Sequence, residues 1–153
     1  MPEGLPRYTH FGICISLMIK SPKTKGETPV YWVGSAKADL LAMPDEVVRN
    51  MGFALGVAQL GGKAPSAKAW KGEGPGVFEV VESFDGDAYR AVYTVKFEEV
   101  IYALHVFQKK SPSGIRTAKP DIDKVTTRLK AAQAHHAKTY PPKLKGKEGK
   151  HGK

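Results

Sequence analysis

The chain has 153 residues and a formal net charge of +9, enough for a single domain whose core folds without covalent staples. Its one cysteine, Cys14, excludes an internal disulfide and a cysteine-based metal site and fits a reducing cytosol. The basic balance points to nucleic acid, the ribosome or an acidic protein as a class of partner; it does not separate them.

Residues 1–28 read as an N-terminal arm or extension, with Met18 an alternative start to Met1. The apolar run Phe11–Ile19 is shorter than the roughly 20 residues a bilayer span needs. No basic segment precedes it and no Ala-x-Ala site follows, so neither a membrane span nor a signal peptide is expected. Val30-Tyr31-Trp32-Val33 reads as a short strand closed by Gly34. Ser35 is placed to cap a short helix over Ala36–Ala42 with its hydroxyl. Pro44, Asp45 and Glu46 suit the first turn of a second helix. Val47, Val48, Met51, Leu55, Ala58 and Gln59 recur at helical spacing, Phe53 and Leu60 widen the stripe, and Gly61-Gly62 ends it. Gly52 and Gly56 are expected to let this helix approach the sheet or the first helix closely.

Lys63–Gly76 reads as a loop in which Lys63, Lys68 and Lys71 surround Trp70. It is either a phosphate-lined groove or a solvated loop anchored by the tryptophan; it lacks the Gly-Lys-Ser/Thr of a Walker loop.

Residues 77–110 are β-branched and aromatic, interrupted at Asp85-Gly86-Asp87 and Glu98-Glu99. Asp-Gly between alternating apolar residues signals a tight hairpin. Three antiparallel strands are therefore expected, about 77–84, 87–97 and 100–107. These turns put Val81 and Phe107 opposite Arg90, and Glu79 and His105 opposite Val92. With period-2 alternation, Phe78, Val80, Tyr89, Ala91, Tyr93, Val95, Tyr102, Leu104 and Val106 share a core face. Glu79, Arg90, Ala103, His105 and Phe107 share the other, expected to be open. Glu79, Arg90 and His105 would then lie within about one diagonal neighbour, ~7–8 Å, as a reactive cluster or as ordinary solvated cross-strand partners.

After a basic stretch, Pro120 or Asp121 opens a last helix with Ile122, Val125, Leu129 and Ala132 on its apolar stripe, ending before Pro141-Pro142. His135 and His136 are expected on its outer side, pointing apart, and so are not read as a metal pair. Residues 141–153 read as a disordered, lysine-rich tail. No motif makes a case for a metal or an organic cofactor.

This order resembles the RelE/ParE superfamily of toxins from toxin–antitoxin pairs, in particular its phage-derived HigB-like branch. The matching segments are Val30–Val33 with Ser35–Leu40, Ala54–Lys63, Lys68–Gly72, Val77–Val81 and Gly86–Lys110. Within them, Tyr89-Arg90-Ala91-Val92-Tyr93 and His105-Val106-Phe107-Gln108-Lys109-Lys110 carry most of the likeness, followed by Thr117 and Ile122. The resemblance covers about residues 29–135, and 29–140 would be the toxin domain. It implies an α+β fold: a three-stranded antiparallel meander plus an N-terminal strand, packed against two N-terminal helices, with a C-terminal helix.

It also implies a cytoplasmic, metal-independent mRNA endonuclease acting free or on the ribosome, neutralised by a helix-turn-helix, HigA-like antitoxin. In such enzymes the ribose 2′-hydroxyl attacks the adjacent phosphate. That reaction needs a base, a cation for the phosphorane and an acid for the leaving oxygen. Arg90 matches the family's sheet arginine. Lys109 and Lys110 match its basic stretch, as phosphate ligands or as the acid. His105 or Glu79 would be the base, Phe107 would stack a base of the RNA, and Lys68 and Lys71 would bind the backbone. The tyrosine that some relatives use after the last strand has no counterpart here. A ParE-like, non-catalytic gyrase inhibitor and a non-catalytic nucleic-acid-binding module are the rival readings.

Overall fold

The computed structural model describes residues 27–109 and 117–142. The expected arm up to residue 26, with Cys14 and Met18, lies outside the described residues, as do Lys110 and the tail from Lys143 onward.

The elements run β1 (Val30–Trp32), α1 (Ala36–Leu41), α2 (Asp45–Gln59), β2 (Ala67–Ala69), β3 (Val77–Phe84), β4 (Asp87–Thr94), β5 (Ile101–Lys109) and α3 (Lys119–Thr139). They form a mixed five-stranded sheet in the order β1-β5-β4-β3-β2. The first strand runs parallel to β5, so the sheet is not purely antiparallel as expected. The expected loop 63–76 contributes a further strand, β2, which pairs antiparallel with β3 and places Lys68 opposite Glu79.

The hairpin forms as its Asp-Gly turn dictates: Phe84 faces Asp87, and Asp85 and Gly86 both take positive φ (50° and 80°). Val81 lies opposite Arg90 and Glu79 opposite Val92, as the alternation requires. The β4–β5 ladder keeps the expected pairs Arg90–Phe107 and Val92–His105, then slips by one residue to Tyr93–Ala103 and Thr94–Tyr102. The extra residue, Leu104, is a β-bulge. A one-residue slip exchanges faces, so Ala103 joins the first core while Tyr102 and Leu104 join the second, the reverse of the expectation.

Two cores result. One lies between the sheet and α1–α2, built from Leu40, Val47, Met51, Leu55, Val80, Ala91, Tyr93 and Val106 among others. The other lies on the opposite face under α3, where Val125, Leu129 and Ala132 meet Val77, Val92, Tyr102, Leu104 and Phe107. The face expected to be open is covered. β5 is therefore buried on both sides, and Ile101–Phe107 is buried throughout.

Four local expectations are corrected. Phe53 and Leu60 do not widen the core stripe; they point outward at 67% and 72% exposure. Ile122 is exposed as well. Ser35 does not cap α1 with its hydroxyl, which donates to Asp39 Oδ2 at 2.7 Å and accepts from Arg128 Nη2 at 2.9 Å. His135 and His136 do not sit on an outer surface either. His135 stacks on Tyr31 (4.1 Å between centroids), with Nδ1 2.8 Å from the Tyr102 hydroxyl. His136 stacks on Phe97 (4.3 Å) and lies 2.7 Å from Glu99. Burial, and then the neighbouring Tyr140, Tyr31 and Glu99, push Tyr102 up to about 12, so its hydroxyl keeps its proton. The adjacent pair thereby docks the end of α3 onto the sheet.

The same helix supplies a buried and an exposed apolar side chain for comparison. Met51→Ala should cost about 3 kcal/mol, since it empties a fully enclosed site. Phe53→Ala should cost less than about 0.5 kcal/mol, since nothing encloses it. Denaturant unfolding of the two variants measures both.

Candidate functional site

On the α3 side of the sheet, near the free end of the β4–β5 ladder, the polar side chains gather. Arg90 is half-buried in the middle of the meander. Its Nη1 donates to Glu79 Oε2 at 2.8 Å and to Thr117 Oγ1 at 3.2 Å, one residue before the N-cap of α3. The pair is mostly enclosed, with 14% and 15% of the two side chains exposed. Arg90 Nε is buried with no hydrogen-bond partner among the described residues.

Lys68 and Lys109 flank this pair. Lys68 stands exposed on the edge strand opposite Glu79. Lys109 is half-buried at the end of β5, two residues beyond Phe107 and so on the same face. The expected diagonal of Glu79 and Arg90 is thus present, with one lysine at the sheet edge and another at the strand end. Lys71 is exposed beyond the end of β2, and no contact among the described residues ties it to the cluster.

His105 does not join the Glu79–Arg90 pair. Val92 separates it from Glu79 across the sheet, and it is only 3% exposed. Nε2 lies 2.9 Å from Asp121 Oδ1, and Nδ1 lies 3.4 Å from Arg128 Nη1. Its ring stacks on Phe107 at 4.7 Å. Burial holds the imidazole below its ordinary value of 6.5, with Arg128 and Lys124 adding to that depression and Asp121 opposing it. Phe107 is also enclosed, at 7% exposure, between His105 and the second core.

The residues that reading the chain did not anticipate all come from α3 and its approach: Thr117, Asp121 and Arg128. A signal for them existed. Ile101–Phe107 is a nearly continuous apolar run, the mark of a strand covered on both faces, and the only remaining cover was the last helix. Among the described residues, no three His, Cys, Asp or Glu side chains gather closely enough to hold a metal ion. No helix among them is long and apolar enough to cross a membrane.

The chain is thus a small α+β domain with a mixed five-stranded sheet, helices on both faces and a lysine-flanked arginine in its meander. The model of the family described as Phage derived protein Gp49-like (DUF891) matches residues 38–130, more than half of the chain. The chain belongs to that family, a RelE-like family of toxins from toxin–antitoxin systems. Its role is that of a toxin, and a cognate antitoxin is its partner. Comparisons with curated proteins and with solved structures give no match.

The depressed His105 makes acid stability a test of this geometry. The folded state takes up the proton at lower pH than the unfolded chain does. As pH falls below 6.5 the unfolded state therefore gains protons first and stability is lost. Between pH 7 and 5 the denaturant midpoint of wild type should fall more steeply than that of His105→Gln, which lacks this titration.

Proposed function

We propose that this toxin is a metal-independent mRNA endonuclease of the HigB-like branch, held inactive by a helix-turn-helix, HigA-like antitoxin. The observation that carries the reading is Arg90. It is a guanidinium oriented by Glu79 and Thr117 on a face flanked by Lys68 and Lys109.

In the proposed reaction the ribose 2′-oxygen attacks the neighbouring phosphorus while its proton passes to a base. The P–O5′ bond then breaks, and an acid delivers a proton to the departing 5′-oxygen. The products are a cyclic phosphate and a 5′-hydroxyl end. Arg90 stabilises the charge that builds on the phosphorane, the kind of preorganised electrostatic help that dominates such reactions. Lys109, with Lys110, protonates the leaving oxygen or holds the phosphate. Lys68 and Lys71 track the RNA backbone as sequence-independent phosphate contacts.

Between the two candidate bases the geometry favours Glu79. It touches Arg90 directly, whereas both nitrogens of His105 face partners beneath α3. A base must come within hydrogen-bond reach of the proton it takes. His105 is then better placed to organise the site than to act in it. Phe107 stacks on His105 and supports the Arg90 face from below; stacking on a nucleotide base would require it to leave that partner.

One observation favours the non-catalytic, gyrase-directed reading: α3 covers much of the face that would have to admit RNA. Inducible expression in a bacterial host separates the two. Wild type should arrest growth and produce new 5′-hydroxyl ends in cellular mRNA. Arg90→Ala should abolish both, and Lys68→Ala should weaken both with a shallower dependence on salt in vitro. Arrest that persists in Arg90→Ala without RNA cleavage would support gyrase inhibition and sink the nuclease.

A further inference from the structure

The bulge in β5 leaves a backbone group that one side chain of α3 takes up. Arg128 Nη1 donates to the carbonyl of Leu104, the bulged residue, at 3.0 Å. The same nitrogen is 3.4 Å from His105 Nδ1, and Nη2 donates to Ser35 Oγ at 2.9 Å. The chain makes room for this guanidinium at Gly34, where φ is +57° and a Cβ would meet Arg128 atoms at 3.3 Å. Arg128 thus joins α3, the bulge and the start of α1 at one point.

The proton inventory at His105 follows from its neighbours. A guanidinium offers only donors, so a favourable contact from Arg128 requires a lone pair on Nδ1. A carboxylate offers only acceptors, so the contact with Asp121 requires a proton on Nε2. A second proton on the ring would set an N–H against the guanidinium N–H and place like charges side by side. Arg128 and, farther out, Lys124 face the ring as cations, and Asp121 faces it as the one anion. The depressed titration described above agrees with this arrangement.

Building on the endonuclease reading, we propose that Arg128 is a positioning residue. It holds His105 as the neutral imidazole with its proton on Nε2, so that His105 donates to Asp121 and pins the first turn of α3 over Arg90. Asp121 lies in that first turn, and its N–H bonds back to Ala118. Thr117, next to Ala118, receives the Arg90 guanidinium. The chain Arg128, His105, Asp121, Thr117, Arg90 therefore sets the rotamer of the phosphate-binding arginine without Arg128 touching RNA. Displacing such a group by an ångström costs roughly a hundredfold in rate.

The test reads the imidazole itself. Nitrogen-15 spectra of histidine-labelled wild type should show His105 as a single tautomer, protonated on Nε2, that stays neutral as pH falls through 6.5. In Arg128→Met the ring should titrate at higher pH and take its second proton on Nδ1, because Asp121 still holds Nε2–H while no guanidinium faces Nδ1. Arg128→Lys should restore the depressed titration in part, since it returns a cationic donor without the fork. If Arg128→Met fails to fold, the Arg128→Lys spectrum alone decides, and an undisturbed ring in either folded variant overturns the proposal. Mapping mRNA ends with the same variants keeps the two readings apart. Wild type that never cleaves RNA defeats the endonuclease whatever the spectra show. Wild type that cleaves while Arg128→Met cleaves equally well defeats the positioning role.

Discussion

Everything in this structure depends on β5 being buried on both faces. A strand with apolar side chains on either side cannot be satisfied by one layer, so the sheet must be covered twice. The helices α1 and α2 provide one cover and α3 the other. The bulge at Leu104 reconciles the two halves of the strand. Beyond it, Tyr102 and Leu104 turn toward α3, while Ala103 turns toward α1 and α2. Without that slip, two large side chains would crowd the first core and a methyl group would face α3.

Covering the second face with α3 changes the chemistry of what lies there. Arg90 and Glu79 would have been a solvated cross-strand pair, worth little in water. Under the approach to α3 they are mostly enclosed, and each depends on the other because an unpaired charge at that depth is costly. His105 would have been a titrating surface histidine. Between Asp121, Arg128 and Phe107 it becomes a buried ring with both nitrogens engaged. One helix thus converts an ordinary polar surface into an enclosed cluster with Arg90 at its edge.

The terminal half of α3 is held by a different device, a set of stacked rings. Tyr31, His135 and Tyr102 form one group; Phe97, His136 and Tyr140 form another. The helix is therefore anchored at its start by polar contacts and at its end by aromatic ones, with Val125, Leu129 and Ala132 between.

The sequence by itself determined what short-range physics controls. Asp85-Gly86 set a hairpin because few residues tolerate positive φ at both turn positions, and that turn set the Glu79–Arg90 diagonal. Pro44 with Asp45 and Glu46 marked the start of α2, and Pro141-Pro142 the limit of α3. The order of these elements carried the family resemblance. Only the tertiary structure decided which face of the sheet was open, because that is a question of which distant segment covers it. It decided the bulge, since two packed cores and not the local sequence of β5 chose where the register slipped. It decided the fate of His105 as well: the residues that surround it, Asp121 and Arg128, lie more than a dozen positions away along the chain. No local period or spacing encodes their approach.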